Sequence, residues 1–346
     1  LTMETKSLTE SASSFARRQR YYRAIEQKRQ SRLISYITSD RPGLQTQIAA
    51  DVIPAFVEIL DEIGPVERIS LLLHTDGGHT STAWRLINLV RSFCEYLEVI
   101  VPTKAMSAGT LISLGANCIV MTKQAALGPI DPSITHPLGP RMGDPDSGNI
   151  VPVSVEAVRG YIDFARDELN VQNPGRLSEI LDRLSQKVHP LVLGEIFRSR
   201  TQIRFLANKL LTHQNLESDT VDSIVDFLCA DSGSHDYTIN RREAEALGLT
   251  VEKPSSELYQ DIKAVHSSYT SEMALLEPYS PEVQIGTEQS ATYTLVRGLV
   301  EQAGGTSYEF VTAGKLARLS FETPAGQQRA ISDERTFEGW RVRCEG

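Results

Sequence analysis

Apolar positions along the chain gather into short unbroken runs separated by stretches with helical spacing. Ile69-Ser70-Leu71-Leu72-Leu73-His74 reads as a buried strand, and Thr75-Asp76-Gly77-Gly78 breaks it. From Ala83 to Tyr96, the residues Trp84, Ile87, Leu89, Val90 and Phe93 recur with a helical period. The run Leu97-Glu98-Val99-Ile100-Val101-Pro102 predicts a second strand. A small-residue turn follows it, Lys104-Ala105-Met106-Ser107-Ala108-Gly109-Thr110, and then an apolar helix pattern, Leu111-Ile112-Ser113-Leu114-Gly115-Ala116. A third strand, Cys118-Ile119-Val120-Met121, leads to the turn Leu127-Gly128-Pro129-Ile130-Asp131-Pro132. Upstream, Leu33 to Thr38 alternates as a strand and Asp51 to Ile63 reads as a helix. Strand–turn–helix units repeated over 67–135 predict an α/β fold with a parallel sheet. The turns lie at the carboxyl ends of its strands, where ligands bind in such sheets.

The flanks read differently. Residues 1–14 are Ser/Thr-rich and are expected to be disordered. Phe15 to Arg32 is a basic, helix-prone stretch, read as a solvated face or an oligomer contact because the whole chain is acidic. Thr135 to Asn149 is loop, either a substrate-binding rim or a plain surface connection. Helices are expected over 154–169, 177–188 and 191–211. In the last, Leu193, Ile196, Ile203, Leu206, Leu210 and Leu211 form an apolar stripe. After about residue 285 the pattern turns to strands around the turn Thr323-Pro324-Ala325-Gly326, which sets 285–346 apart as a small β-rich appendage to a main domain over 15–284.

Composition narrows the function classes. A chain of 346 residues with 40% hydrophobic and 23% charged residues is ordinary for a globular protein. Its net charge of -9 argues against nucleic-acid partners. Cys94, Cys118, Cys229 and Cys344 have no metal-ligand spacing and fit a reducing compartment. No apolar run approaches a bilayer span, and the polar start Leu1-Thr2-Met3-Glu4-Thr5-Lys6 lacks a signal peptide's apolar core. A cytoplasmic protein without an integral membrane segment is expected.

The chemistry points to Ser107. A serine at a strand-to-helix turn exposes its hydroxyl beside free backbone N–H groups, a suitable place for a nucleophile. The N–H groups of Gly78 and Ala108, with Gly77 in the same turn, would hold an oxyanion. The Pro-flanked turn around Asp131 fixes a carboxylate. Each motif alone is weak, and their order and spacing together carry the reading.

The runs L-L-L-H-T-D-G-G, V-I-V-P-T-K-A-M-S-A-G-T-L-I-S-L-G-A and I-V-M-T-K-Q-A-A-L-G-P-I-D-P-S closely resemble the serine dehydrogenase proteinase family. That family lies in the Clp-peptidase and crotonase superfamily, beside the signal peptide peptidase A type. The block from Ser234 to Ala244, ending in Leu247-Gly248-Leu249, resembles the family's later motif, and the likeness covers roughly residues 20–255. It implies a serine peptidase acting on protein or peptide substrates with no cofactor. It implies a Clp/crotonase-like superhelix of repeated β-β-α units in a homo-oligomer, with the long helix over 191–211 either a handle that packs subunits together or a helix packed on its own domain. One departure is visible: the family's usual turn has Pro before Gly-Gly, and this chain has Asp76, an acid beside the oxyanion site.

The base is less determined. His235 falls near where Clp peptidases place their acid, and Asp131 near where they place their histidine. The resemblance therefore suggests a swapped pair, His235 as base with Asp131 or Asp236 orienting it. Lys187 and His189, just before the long helix, are the second candidates, and a lysine there needs burial to lower its pKa. Lys104 and Lys123 read as solvated, and His74, His79, His136, His213 and His266 as having no site role. The rival readings are a catalytically inactive oligomeric module on the same fold and, less favoured, crotonase-like acyl-CoA chemistry.

Overall fold

Four apolar runs become neighbouring parallel strands because each is buried on both faces and needs cover from helices on either side. The computed structural model describes residues 3–130, 133–143, 148–231, 237–323 and 326–343. The chain divides into two compact units, Leu1–Leu127 with Ile239–Gly346, and Gly128–Thr238. In the first, helix α1 (Met3–Arg29) precedes strand β1 (Arg32–Thr38), helix α2 (Ile53–Ile63), strand β2 (Val66–His74) and helix α3 (Thr80–Arg91). Strands β3 (Cys94–Val101) and β4 (Lys104–Ala105), helix α4 (Ala108–Leu114), and strands β5 (Cys118–Met121) and β6 (Ala126–Leu127) follow. Helix α1 starts at Met3, within the stretch expected to lack structure.

The second unit holds the short strands β7 (Ser133–Ile134), β8 (Arg141–Met142), β9 (Asn149–Ile150) and β10 (Val153–Ser154), with β8–β9 a small hairpin in the expected loop. Four helices then follow: α5 (Val155–Asp163), α6 (Pro174–Ser185), α7 (Pro190–Leu211) and α8 (Ser218–Asp226). Helix starts follow local capping chemistry. Ser154 accepts from the Ala157 amide, and Asn173 from those of Gly175 and Arg176. Val153, Val155, Val188, Val192 and Ile196 form this unit's own apolar cluster.

The chain returns to the first unit through β11 (Ile239–Asn240), α9 (Arg241–Ala246), β12 (Val251–Glu252), α10 (Ser256–Glu272) and α11 (Pro281–Ile285). The strands β13 (Ser290–Gln302), β14 (Tyr308–Thr323) and β15 (Gly326–Val342) complete it. One eight-stranded sheet runs β12-β5-β3-β2-β1-β13-β14-β15. The first five strands are parallel and the last three antiparallel. The β-rich end of the chain is thus continuous with the central sheet, since β13 pairs with β1 from Ile34↔Gln302 to Thr38↔Gly298.

One face of the sheet is covered by α1 and α10. Tyr22, Ile25, Leu258, Ile262, Val265 and Tyr269 pack on Leu33, Ile37, Leu72, Ile100, Val120 and Leu299. Burying such side chains stabilises by roughly 1.5–3 kcal/mol each. Arg17, Arg20, Arg23 and Lys28 of α1 are exposed, whereas two of its basic residues have an internal use. Arg18, fully buried, bonds Glu301 and Glu272 at 2.6 Å each, and Arg343 joins the same two carboxylates. Burial opposes charge on Glu301, but Arg18 and Arg343 outweigh it and keep the carboxyl below its usual range. Arg29 likewise bonds the buried Glu98. No described helix is long and apolar enough to cross a membrane.

Candidate active site

Ser107 sits where β4 turns into α4, with φ 49° and ψ -110°. Such a backbone is strained for a residue with a Cβ, and strain of this kind persists only where surrounding structure enforces it. The enforcement is visible. Every residue of α4 is buried, Leu111 N–H donates to Ser107 O at 3.0 Å, and Thr110 Oγ1 donates to Ala105 O at 2.8 Å. The Ser107 side chain is half-buried, and its hydroxyl makes no hydrogen bond among the described residues.

The glycine turn is built from the end of β2. Thr75 bridges to Ala105 in parallel fashion, with Thr75 N–H donating to Lys104 O at 3.2 Å and Met106 N–H to Thr75 O at 3.0 Å. These bonds fix the two strand ends against each other. Gly77 N–H donates to Thr75 Oγ1 at 3.0 Å, and Thr38 Oγ1 donates to the same oxygen at 2.8 Å. Gly78 forms a second bridge, to Ile48. Its bonds run from Ile48 N–H to Gly77 O and from His79 N–H to Ile48 O, both 2.8 Å, and leave the N–H of Gly78 unused.

The two turns meet. Gly77 has φ +113°, and a Cβ added there would lie 2.9 Å from both Met106 O and Ser107 Cβ and 3.3 Å from Ala108 N. Only a residue without a side chain allows this approach. The N–H groups of Gly78 and Ala108 donate no hydrogen bond among the described residues, and they flank this contact. Ser107 and two uncommitted main-chain N–H groups thus stand on turns that touch.

A charged cluster lies beside the turns. Lys104 Nζ is 2.6 Å from Asp76 Oδ1 and 2.6 Å from Asp40 Oδ2. Burial opposes the charge on Lys104, but its bonds to Asp40 and Asp76 outweigh that and raise its pKa. Burial also opposes charge on Asp40, and the neighbouring His74 and Lys104 more than offset it, holding the carboxyl well below the usual range. His74 is buried. Its Nε2 lies 3.4 Å from Asp40 Oδ2 without hydrogen-bond alignment, and its Nδ1 is 2.7 Å from Thr103 Oγ1. His266 Nε2 meets the same hydroxyl at 3.2 Å. Lys104 therefore departs from its expected solvated place, being half-buried and paired, whereas His74 is a buried member of a polar network. The signal available was positional, because Asp76 and Lys104 both lie just past the ends of adjacent strands. Lys123 is exposed, with its ammonium 5.3 Å from the centre of the Tyr259 ring.

The base candidates are distributed elsewhere. Asp131, His235 and Asp236 lie outside the described residues. Lys187 and His189 belong to the second unit, and both are exposed. His189 caps α7, its Nδ1 accepting from Leu191 N–H at 3.2 Å.

Residues 5–141 match the ClpP-like SDH-type serine proteinases. Two uncharacterized proteins of Methanocaldococcus jannaschii, MJ0137 and MJ1495, are 42% and 39% identical to the chain over 66 residues. That stretch is 19% of this chain and 23% of each relative, so the chain spans about a quarter of the length of the relatives it matches. Among solved structures, a mutant of the 1510-N membrane-bound stomatin-specific protease is 16% identical. It covers 62% of this chain and 79% of its own, with a TM-score of 0.37. ClpP1 from Listeria monocytogenes is 13% identical and covers 65% of this chain and 94% of its own, with a TM-score of 0.34. Residues 5–141, which carry Gly77, Gly78, Ser107 and Ala108, are thus the part of the chain that is similar to the ClpP-like SDH-type serine proteinases.

Proposed function

We propose that the protein is a serine peptidase in which Ser107 Oγ attacks the carbonyl carbon of a peptide bond. The N–H groups of Gly78 and Ala108 receive the oxyanion as it forms. Gly77 contributes space rather than a donor, since its own N–H is engaged by Thr75 Oγ1. His235 takes the Ser107 proton and returns it to the leaving amine, with Asp131 or Asp236 orienting the ring. Water then hydrolyses the acyl-enzyme by the same route in reverse. Lys187 with His189 is the second candidate for the base. The subunit contact of a homo-oligomer falls on the second unit, where α7 leaves Leu191, Phe197 and Phe205 exposed.

The approach of Gly77 to Ser107 supports this reading most, because it joins a nucleophile to an oxyanion cradle that two separate sequence motifs supply. Labelling with a fluorophosphonate tests it. Wild-type protein should label at one serine, Ser107→Ala and His235→Ala should not, and Lys187→Ala should. Labelling that survives Ser107→Ala excludes Ser107 as the nucleophile. The rival, an inactive interaction module, draws on the acid at Asp76 and on the unbonded Ser107 hydroxyl. Wild-type protein inert to the probe yet binding a partner would favour it.

A further inference from the structure

We propose that Lys104 is a positioning residue that locks the glycine turn to the serine turn and masks the charge of Asp76 from the oxyanion donors; this rests on the peptidase reading. One ammonium joins three neighbouring strand ends. Lys104 belongs to β4, three residues before Ser107; Asp76 directly precedes Gly77; Asp40 follows the end of β1. The main chain of the same residues is already tied, since Lys104 O accepts from Thr75 N–H. The side chain adds a second tether across the gap in which Gly77 touches Ser107.

The electrostatic part follows from position. Asp76 is one residue from Gly77 and two from Gly78, so its carboxylate lies close enough to disfavour a second negative charge at the Gly78 N–H. With Lys104 bonded to it at 2.6 Å, the ammonium offsets the field of Asp76, although Asp40 leaves the three groups with one net negative charge. Asp40 is the counterweight. Without it, Lys104 would be held by a single, half-exposed partner; with it, the ammonium is fixed from the more buried side as well. A lysine bonded to two carboxylates stays protonated and does not accept the Ser107 proton, which separates this role from that of a base.

The test compares Lys104→Met, Lys104→Arg and the double variant Lys104→Met/Asp76→Asn with wild type. Two readouts are used: the fluorophosphonate reaction rate with kcat and KM on a peptide, and hydrogen exchange over residues 75–79 referenced to β2. Lys104→Met should lower kcat and the labelling rate by about tenfold to a hundredfold, as removing a charge partner near a reacting oxyanion does. KM should be nearly unchanged, and the turn should exchange faster. Lys104→Arg should keep most of the rate, and adding Asp76→Asn should restore most of what Lys104→Met loses. Unchanged exchange at 75–79 in Lys104→Met overturns the proposal, as does a rate loss that Asp76→Asn leaves unrelieved. Faster exchange in Lys104→Met with a wild type inert to the probe leaves the tether standing and removes the peptidase reading instead.

Discussion

Gly77→Ala is the most direct perturbation of the site, because its cost can be worked from the structure. Two terms add. The first is backbone strain, since φ +113° is a conformation that side chains rarely adopt, worth roughly 1–3 kcal/mol. The second is steric. The new methyl carbon would lie 2.9 Å from Met106 O and from Ser107 Cβ, about half an ångström inside ordinary van der Waals contact. Overpacking on this scale costs about 1–3 kcal/mol. The total is roughly 2–6 kcal/mol. Relief requires the two turns to part, and that movement shifts the Gly78 and Ala108 donors relative to Ser107. Losing one such donor typically lowers rates by about 10² to 10³, so fluorophosphonate labelling at Ser107 should fall by at least about a hundredfold.

Gly64→Ala is the matched control. Gly64 has φ +68° at the end of α2, and a Cβ there meets nothing within 4 Å. It carries backbone strain alone, about 1–3 kcal/mol at ψ -179°, and no consequence for the site. Urea unfolding and labelling rates, measured where both variants are fully folded, separate the two terms. The reasoning is refuted if Gly77→Ala labels near the wild-type rate, or if it destabilises no more than Gly64→Ala.

Other consequences are testable away from the turns. Arg18→Met should cost about 3–5 kcal/mol in a denaturant titration, because it removes the buried guanidinium that pairs with both Glu301 and Glu272; a loss under about 1 kcal/mol would show that the buried network adds little. His266 is pushed down to about 4, first by burial and then by His74. The unfolded chain therefore binds a proton that the folded ring resists, and stability should fall as pH drops from about 6.5 to 4. The loss should be about 1–2 kcal/mol after allowance for solvent at a partly exposed ring. In His266→Phe this part of the acid limb should vanish; an unchanged slope over that pH range would sink the assignment.

The elements that local pattern determines were readable before the fold was known. Ile69 to His74, Leu97 to Val101 and Cys118 to Met121 are apolar runs too short for helices, and each is a strand buried on both faces. What failed to show locally is pairing at long range. Residues 290–302 follow a change in composition, which suggested a separate appendage. Yet Leu299 and Val300 are core residues because β1, more than 250 positions earlier, supplies their partners. Arg18 gave the same false impression. Its neighbours in sequence are basic and polar, while the carboxylates that neutralise it stand at positions 272 and 301. Net charge and helical period carry no information about such partners.

The candidate site divides along the same line. The meeting of a serine turn with a glycine turn is legible because it depends on backbone shape, which Gly77-Gly78 and Ser107-Ala108-Gly109 dictate locally. A base is a side chain that tertiary structure must deliver, and no spacing rule binds His235 or Lys187 to Ser107 in sequence. Asp76 shows the cost of reading a position alone. An acid before Gly-Gly looks harmful to an oxyanion site until Lys104 is set beside it. Parallel strands bring residues just beyond their carboxyl ends side by side, so the acid after β2 and the lysine after β3 form one unit across the sheet edge. The carboxylate left alone at this edge would repel the oxyanion, whereas the ammonium without Asp76 keeps its bond to Asp40. Selection at position 76 should therefore depend on position 104. Asp76→Pro in the wild-type background should be tolerated, because Asp40 still holds Lys104, whereas Lys104→Met should be tolerated only when Asp76 is also neutralised.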